Sequence, residues 1–304
     1  MKLSIISPVY EVDSYIECFL ESLLWQLTTD VELILVNDGT NDNSIKLAEK
    51  LIKKSSPEIQ KNITILHQKN QGQSVARNNA IQRANGEYIG FIDPDDYVES
   101  NYISKIMELL SERPDVVSFG ARAFLDETNI DLHEIYTNLK EGFNPVTLDL
   151  LSQIYKECSW MPWLRICKRD LFIDKNFPKG ILLEDVYLFS ILYLNINTIN
   201  HCNEVLVNYR IRAGSSVGQK KDSFFESYHQ VIDYLMRERE RSPYLINLTL
   251  NKLLKSYFQE SINSRGLKFA FSNIQKYQKN KEYMLFITYR TFVYLVKKML
   301  GKDL

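Results

Sequence analysis

The first 92 residues alternate short apolar runs with amphipathic stretches, and this alternation leaves few folds open. The runs are Leu3–Ser7, Val31–Val36, Ile63–Leu66 and Tyr88–Ile92. Each is short, rich in β-branched, aliphatic or aromatic residues and bounded by turn formers, as strands buried on both faces are. Between the first two, Ile16, Phe19, Leu20, Leu23, Leu24 and Leu27 recur at helical spacing, and Ser14 with Glu17 fits a capping box. Asn41–Lys54 reads as a second amphipathic helix. Ser74–Ala84 reads as a third, with Gly72 before it and Gly86 at its C-terminal cap. Strand alternating with helix implies a parallel α/β sheet.

Three of these runs stop at polar clusters: Tyr10 and Glu11 after the first, Asp38 after the second, and Asp93-Pro94-Asp95-Asp96 after the fourth. Pro94 lacks an amide hydrogen and has a fixed φ, so the strand ends there. Open α/β sheets bind ligands just beyond the carboxyl ends of their strands. Carboxylates this close repel unless something positive lies among them. A divalent cation such as Mg²⁺ or Mn²⁺, which takes hard oxygen ligands and shares them with phosphates, satisfies that need. Asp and Pro are also ordinary turn formers, so the stretch alone leaves both readings open. There is no Gly-x-Gly-x-x-Gly after the first strand and no phosphate-binding P-loop, which argues against nicotinamide and P-loop chemistry.

Further along, Tyr102–Leu110 reads as a helix, Val116–Phe119 as a strand and 121–145 as loop. Thr147–Cys158 and Glu184–Leu194 read as helices, Val205–Arg210 as a strand, and the chain from Asp222 onward as almost wholly helical. The Gly- and Ser-containing stretch Ala213–Gly218 has the character of a linker, which divides the chain into residues 1–215 and 216–304. Trp160 and Trp163 are either an aromatic platform for a ligand or core. The net charge of −1 gives no sign of nucleic acid. Cys18, Cys158, Cys167 and Cys202 are scattered, with no metal spacing, and read as reduced thiols. The apolar run at the start is too short for a signal peptide, and no segment reaches the roughly 18 apolar residues of a membrane span. The expected location is therefore cytoplasmic.

Five motifs taken in order resemble those of family-2 inverting glycosyltransferases. They are Ser7-Pro8-Val9-Tyr10, Val36-Asn37-Asp38-Gly39-Thr40, Asn70-Gln71-Gly72-Gln73-Ser74-Val75-Ala76-Arg77-Asn78, Asp93-Pro94-Asp95-Asp96 and Glu184-Asp185. The resemblance covers about residues 1–215 and implies an α/β fold of the GT-A, nucleotide-sugar-binding type. Its central sheet would be mostly parallel, followed by a helical C-terminal region. It also implies the roles. Pro8 and Tyr10 would flank the base, with Glu11 beside them. Asp38 would accept from a uracil imide, Arg77 would lie near base and phosphates, and Asp93 would take ribose hydroxyls. Asp95 would hold the divalent metal (Mn²⁺ or Mg²⁺), and Asp185 would be the general base. Most relatives carry Asn where this chain has Glu11, and many carry Asp where it has Asn37.

The resemblance thus implies a sugar transferase using a nucleoside-diphosphate donor, UDP-linked, and a glycan or lipid-linked glycan acceptor in cell-surface polysaccharide synthesis. The alternatives are transfer to a lipid phosphate carrier and a non-catalytic nucleotide-sugar-binding assembly subunit. Glu184-Asp185 by composition alone reads as ordinary helix N-terminal acids. The stretch Tyr209–Ser216 resembles the family's loop after the last core strand, with Arg212 as a bidentate phosphate donor, and it reads equally as an exposed basic linker. Tyr283–Leu300 is apolar and aromatic with Lys297 and Lys298 near its end. It is either an interfacial helix in peripheral membrane contact or a packing helix, against the first domain or in a homo-oligomer.

Overall fold

The structure, a computed structural model, describes residues 1–212 and 222–278. The chain divides into two compact units, Met1–Gly218 and Gln219–Leu304.

The first unit opens with β1 (Leu3–Val9), α1 (Ile16–Leu24), β2 (Val31–Asn37), α2 (Ser44–Ile52), the single turn α3 (Pro57–Gln60), β3 (Ile63–His67), α4 (Gln73–Arg83) and β4 (Tyr88–Phe91). It continues with β5 (Tyr97–Val98), α5 (Tyr102–Leu110), β6 (Val116–Leu125), β7 (Asp131–Ile135), β8 (Gly142–Pro145), α6 (Leu148–Glu157), β9 (Arg165–Lys168), α7 (Glu184–Leu192) and β10 (Thr198–Ile211). The strands form one sheet in the order β3-β2-β1-β4-β9-β6-β10-β5, with β7 beside β6 and β8 beside β10.

The four strands expected from the apolar runs are all present and all parallel, with β1 between β2 and β4. β1 is buried along its whole length, and β2 over all but its last residue. They pack against the Ile16, Phe19, Leu20 and Leu23 face of α1 in one apolar core. The mixed half of the sheet is built by the strands after β4. β9 enters antiparallel to both β4 and β6, so β6 and β10, parallel to each other, run in the direction of β4.

Two local expectations are corrected. Residues 121–145 are not a loop: β6 runs on to Leu125, and β7 and β8 pair with it and with β10. These short, largely exposed strands carry no apolar alternation of their own, and their backbone pairing is supplied by long neighbours. The capping box is not made. α1 starts at Ile16, and the Ser14 hydroxyl turns to Asp13 instead. The loop before α1 is tied elsewhere, because the Glu11, Val12 and Asp13 amides donate to Thr40, Ser44 and Asp42 at 2.8, 3.1 and 3.0 Å.

The second unit pairs α8 (Asp222–Glu238) with α9 (Pro243–Gln278), which breaks at Gly266 with φ 82°. Ring contacts of Phe225 and Tyr228 with Tyr257 hold the pair together. No helix among the described residues is long and apolar enough to cross a membrane. The Ala213–Ser216 loop and the Tyr283–Leu300 segment lie outside the described residues.

Candidate active site

Because β2, β1 and β4 are parallel neighbours, their carboxyl ends open on one edge of the sheet. That edge collects Asp38, Tyr10 with Glu11, and Asp93 to Asp96. β6 and β10 end on the same edge, which adds Asp126, Arg210 and Arg212.

At the β1 and β2 end, Pro8 is buried in β1 opposite Val36, while Tyr10 is 40% exposed and presents its ring outward. Glu11 turns the chain with φ 51°, and its carboxylate, as hydrogen-bond partner and neighbouring charge, raises the Tyr10 hydroxyl above its ordinary value. Asp38 is buried and organises the loop beside it. Its Oδ1 accepts from Gln68 Nε2 (2.7 Å) and the Gln71 amide (2.8 Å), and its Oδ2 accepts from the Gly72 amide (2.8 Å). A carboxylate has about four acceptor positions, so Oδ2 keeps one for a ligand N–H. Gly39 makes this turn possible: its φ is 69°, and a Cβ there would meet the Asn70 amide nitrogen at 2.7 Å.

At the β4 end each carboxylate has its own partner. Asp93 Oδ1 accepts from Arg77 Nη2 (2.9 Å), and Asp95 Oδ2 accepts from Arg212 Nε (2.8 Å). Asp96 Oδ1 accepts from the Arg210 amide (2.8 Å), while its buried Oδ2 has no partner. Burial, then the charge of Asp93, pushes the Asp95 carboxyl up, and Arg212 pulls it back. Burial and the other two acids push Asp96 up further. Among the described residues no group of three or more acids, histidines or cysteines is arranged to hold a metal by itself. A cation here would be held by Asp95 together with oxygens that a ligand brings. The donor set suits a hard divalent ion, and Arg212 on Oδ2 shows that Asp95 accepts a cation at that position. Arg210 braces the rim through Asp126 (2.7 Å), which also accepts from Tyr15 (2.7 Å).

Arg77 does not reach outward toward a ligand. It is 2% exposed, and its two terminal nitrogens bridge Asp93 and Glu184 Oε1, the latter at 2.8 Å. Gln73 donates to the same Glu184 oxygen at 2.7 Å. The sequence by itself assigns Glu184 no role, because two adjacent acids at a helix start carry no sign of which one faces inward. Burial pushes the Glu184 carboxyl up to about 7, against the pull of Arg77 and with a further push from Asp185. Asp185 is half-buried, and its Oδ1 accepts from the Val186 amide at 2.7 Å. Burial raises it above the usual carboxylate range, and the Val186 N–H, Arg77 and Arg165 oppose that rise.

Arg77→Met is expected to lower stability by about 3–5 kcal/mol, the usual result of stripping one partner from a buried ion pair. The loss should be smaller at pH 6 than at pH 8, because a protonated Glu184 needs no counter-charge. A carboxyl raised in the fold keeps its stabilising contribution below its unfolded value and loses it as pH climbs through the folded one. Urea unfolding at the two pH values measures both effects, and equal losses would remove Glu184 as the cause.

The tryptophans are core, not a sugar platform. Trp160 is fully buried, edge-on to Tyr155 and Tyr193, and Trp163 is 4% exposed and stacked on Tyr209 at 4.9 Å.

This arrangement has relatives. The sequence profile of glycosyl transferase family 2 matches residues 4–165, more than half of the chain. The uncharacterized glycosyltransferase EpsJ of Bacillus subtilis is 44% identical over 180 residues, which are 57% of this chain and 50% of EpsJ. Glycosyltransferase GlyA of Streptococcus pneumoniae is 29% identical over 230 residues, 70% of this chain and 31% of GlyA. The chain thus spans about a third to a half of the length of these two relatives. Among solved structures, S. aureus TarS 1–349 in complex with UDP-GlcNAc superposes with a TM-score of 0.67 at 21% identity, over 85% of this chain and 81% of that one. The Pyrobaculum calidifontis mannosyltransferase PcManGT, in complex with GDP-Man and Mn²⁺, gives a TM-score of 0.54 at 14% identity, over 99% of this chain and 88% of that one. The fold is the GT-A fold of such enzymes, and the chain belongs to glycosyl transferase family 2.

Proposed function

We propose that this chain is an inverting glycosyltransferase that moves a sugar from a UDP-linked donor to a hydroxyl of a glycan or glycolipid acceptor in cell-surface polysaccharide synthesis. The observation that carries the reading is the buried Arg77. One guanidinium ties Asp93, at the end of β4, to Glu184, the residue beside Asp185, so a donor-side carboxylate and the neighbour of the base are held by one buried side chain.

In this reading the base stacks on the exposed Tyr10 near Pro8 and Glu11, and its imide N–H donates to the remaining acceptor position of Asp38. Asp93 takes ribose hydroxyls. Asp95 would hold Mn²⁺ or Mg²⁺ together with the diphosphate; such an ion, when bound, supplies Lewis-acid neutralisation of the leaving group's charge. Arg212 leaves Asp95 for a phosphate oxygen, to which its planar fork is suited. The free Asp185 oxygen takes the proton of the acceptor hydroxyl. The hydroxyl oxygen bonds to the anomeric carbon, and the anomeric C–O bond breaks, with its electron pair going to the β-phosphate oxygen. One displacement inverts the configuration. A UDP-linked donor is supported by the TarS complex with UDP-GlcNAc, a protein of the same fold.

Thermal unfolding with UDP, GDP and their hexose derivatives, each with and without Mn²⁺, tests the donor. At a ligand concentration about 100 times Kd the stabilisation is about 2.7 kcal/mol. A rise in Tm with UDP ligands that depends on the metal is expected. Stabilisation by GDP ligands alone would refute the donor assignment, and no response to any nucleotide would refute the whole reading.

A further inference from the structure

Arg165 has no task in the mechanism above, yet it is a charged side chain 3% exposed. Its Nη2 donates to the Ser159 carbonyl, while its buried Nε and Nη1 have no acceptor. The guanidinium instead lies among aromatic rings, 5.0 Å from the centroid of Phe189, 5.2 Å from Tyr193 and 5.7 Å from Trp160. Ring faces attract a cation, but a cage of rings does not neutralise one, and a buried unneutralised charge is costly.

The cage lies against the helix that carries Asp185. Phe189 lies on α7 one turn after Asp185, and Tyr193 is one turn later again, directly past the helix end. Residues four apart share a helix face, and their side chains lean toward the helix N-terminus. Arg165 therefore runs along the α7 face that carries Asp185, while Arg77 engages its neighbour Glu184 from α4. The charged and titratable groups around Asp185 are Glu184 on its own helix, Arg77 from α4 and Arg165 from β9. Tyr193 and Cys167 lie on the Arg165 side.

We propose that Arg165 is a positioning residue for Asp185: its caged, unpaired guanidinium supplies the fixed positive field that holds Asp185 as an anion with one oxygen free for the acceptor. This rests on the reading of Asp185 as base, and it adds a division of labour between the two buried arginines. Arg77 is a strut whose terminal nitrogens are engaged by Glu184 and Asp93 while its Nε has no partner, and its charge also draws on Asp185. Arg165 makes no ion pair among the described residues, so it charges the site without blocking the carboxylate. The reduced acidity that burial gives Asp185 is the effect that Arg165 opposes.

The test is a double-mutant cycle on thermal unfolding at pH 8 with the wild type, Arg165→Met, Asp185→Asn and the double variant. Removing Arg165 should lower Tm by about 2–4 °C more when Asp185 is present than in Asp185→Asn, which corresponds to about one pKa unit of coupling. Arg165→Lys, which keeps the charge, should retain most of the coupling. Should Arg165→Met not fold, Arg165→Gln keeps a donor for the Ser159 carbonyl and enters the same cycle. Equal Tm losses in both backgrounds overturn the proposal whether or not transfer is detected. Where transfer is measurable, the acid limb of the pH–rate profile should move up by about one pH unit in Arg165→Met, with donor KM unchanged, and return in Arg165→Lys. A uniform loss at all pH values with an unmoved limb would mean a purely structural role and overturns it as well. Loss of all UDP-sugar turnover in the wild type would instead defeat the functional reading and leave the cycle to decide on Arg165.

Discussion

Asp185→Asn is expected to keep donor and metal binding and to lose transfer by about 10²–10⁴-fold, the usual worth of a general base. The amide preserves shape, and its carbonyl oxygen still accepts from the Val186 amide, but it cannot take a proton at pH 7. Single-turnover transfer with saturating donor isolates the step. A loss of less than about threefold, below the low end of that range, would remove Asp185 as base and turn attention to Glu184. In the wild type, burial places the Asp185 carboxyl above its ordinary range. The base must be ionised to act, so the rate should fall as pH drops through that raised value. The half-maximal point should therefore lie above the ~3.9 of an unperturbed aspartate. A profile flat down to pH 4 would contradict this placement.

Asp95→Ala is expected to abolish metal-dependent transfer and to weaken UDP binding when Mn²⁺ or Mg²⁺ is present, leaving metal-free binding unchanged. The fold should barely notice. The Asp95–Arg212 pair is about a quarter exposed on each side, and such pairs are worth about 0–1 kcal/mol. Removing one of three adjacent acids also relieves the repulsion felt by Asp96. Calorimetric titration of UDP with and without metal, beside urea unfolding, separates the two effects. Full activity with metal in this variant would end the assignment of Asp95 as ligand, and a large stability loss would show that the Arg212 pair carries structure instead.

Much of the N-terminal half could be read directly. β1, β2, β3 and β4 coincide with the four apolar runs to within two residues; β1, β2 and β4 are buried on both faces and so mostly apolar, whereas β3, at the sheet edge, is only partly covered. The polar clusters that end them sit together because parallel neighbours end on one edge. α7 begins where its two acids announce it. β7, β8 and β9 escaped notice for a common reason. They are four or five residues long, and they are strands because β6, β4 and β10 offer unpaired backbone beside them.

Side-chain roles divided in the same way. Asp38 and the Asp93–Asp96 group were placed by the strand that precedes each. The resemblance puts Arg77 near base and phosphates, and the structure shows it as a buried bridge between Asp93 and Glu184. Trp160 and Trp163, open between platform and core, closed as core. Arg165 carried no local signal at all. Which of the two adjacent acids turns inward depends on a guanidinium from α4, 107 residues earlier in the chain. What surrounds Arg165 depends on rings that α7 and the turn after it bring to the start of β9. Local periodicity and strand ends, set by neighbours along the chain, determined the sheet and its rim of carboxylates. The pairing of buried charges, set by neighbours in space where water no longer screens them, was decided by the tertiary structure alone.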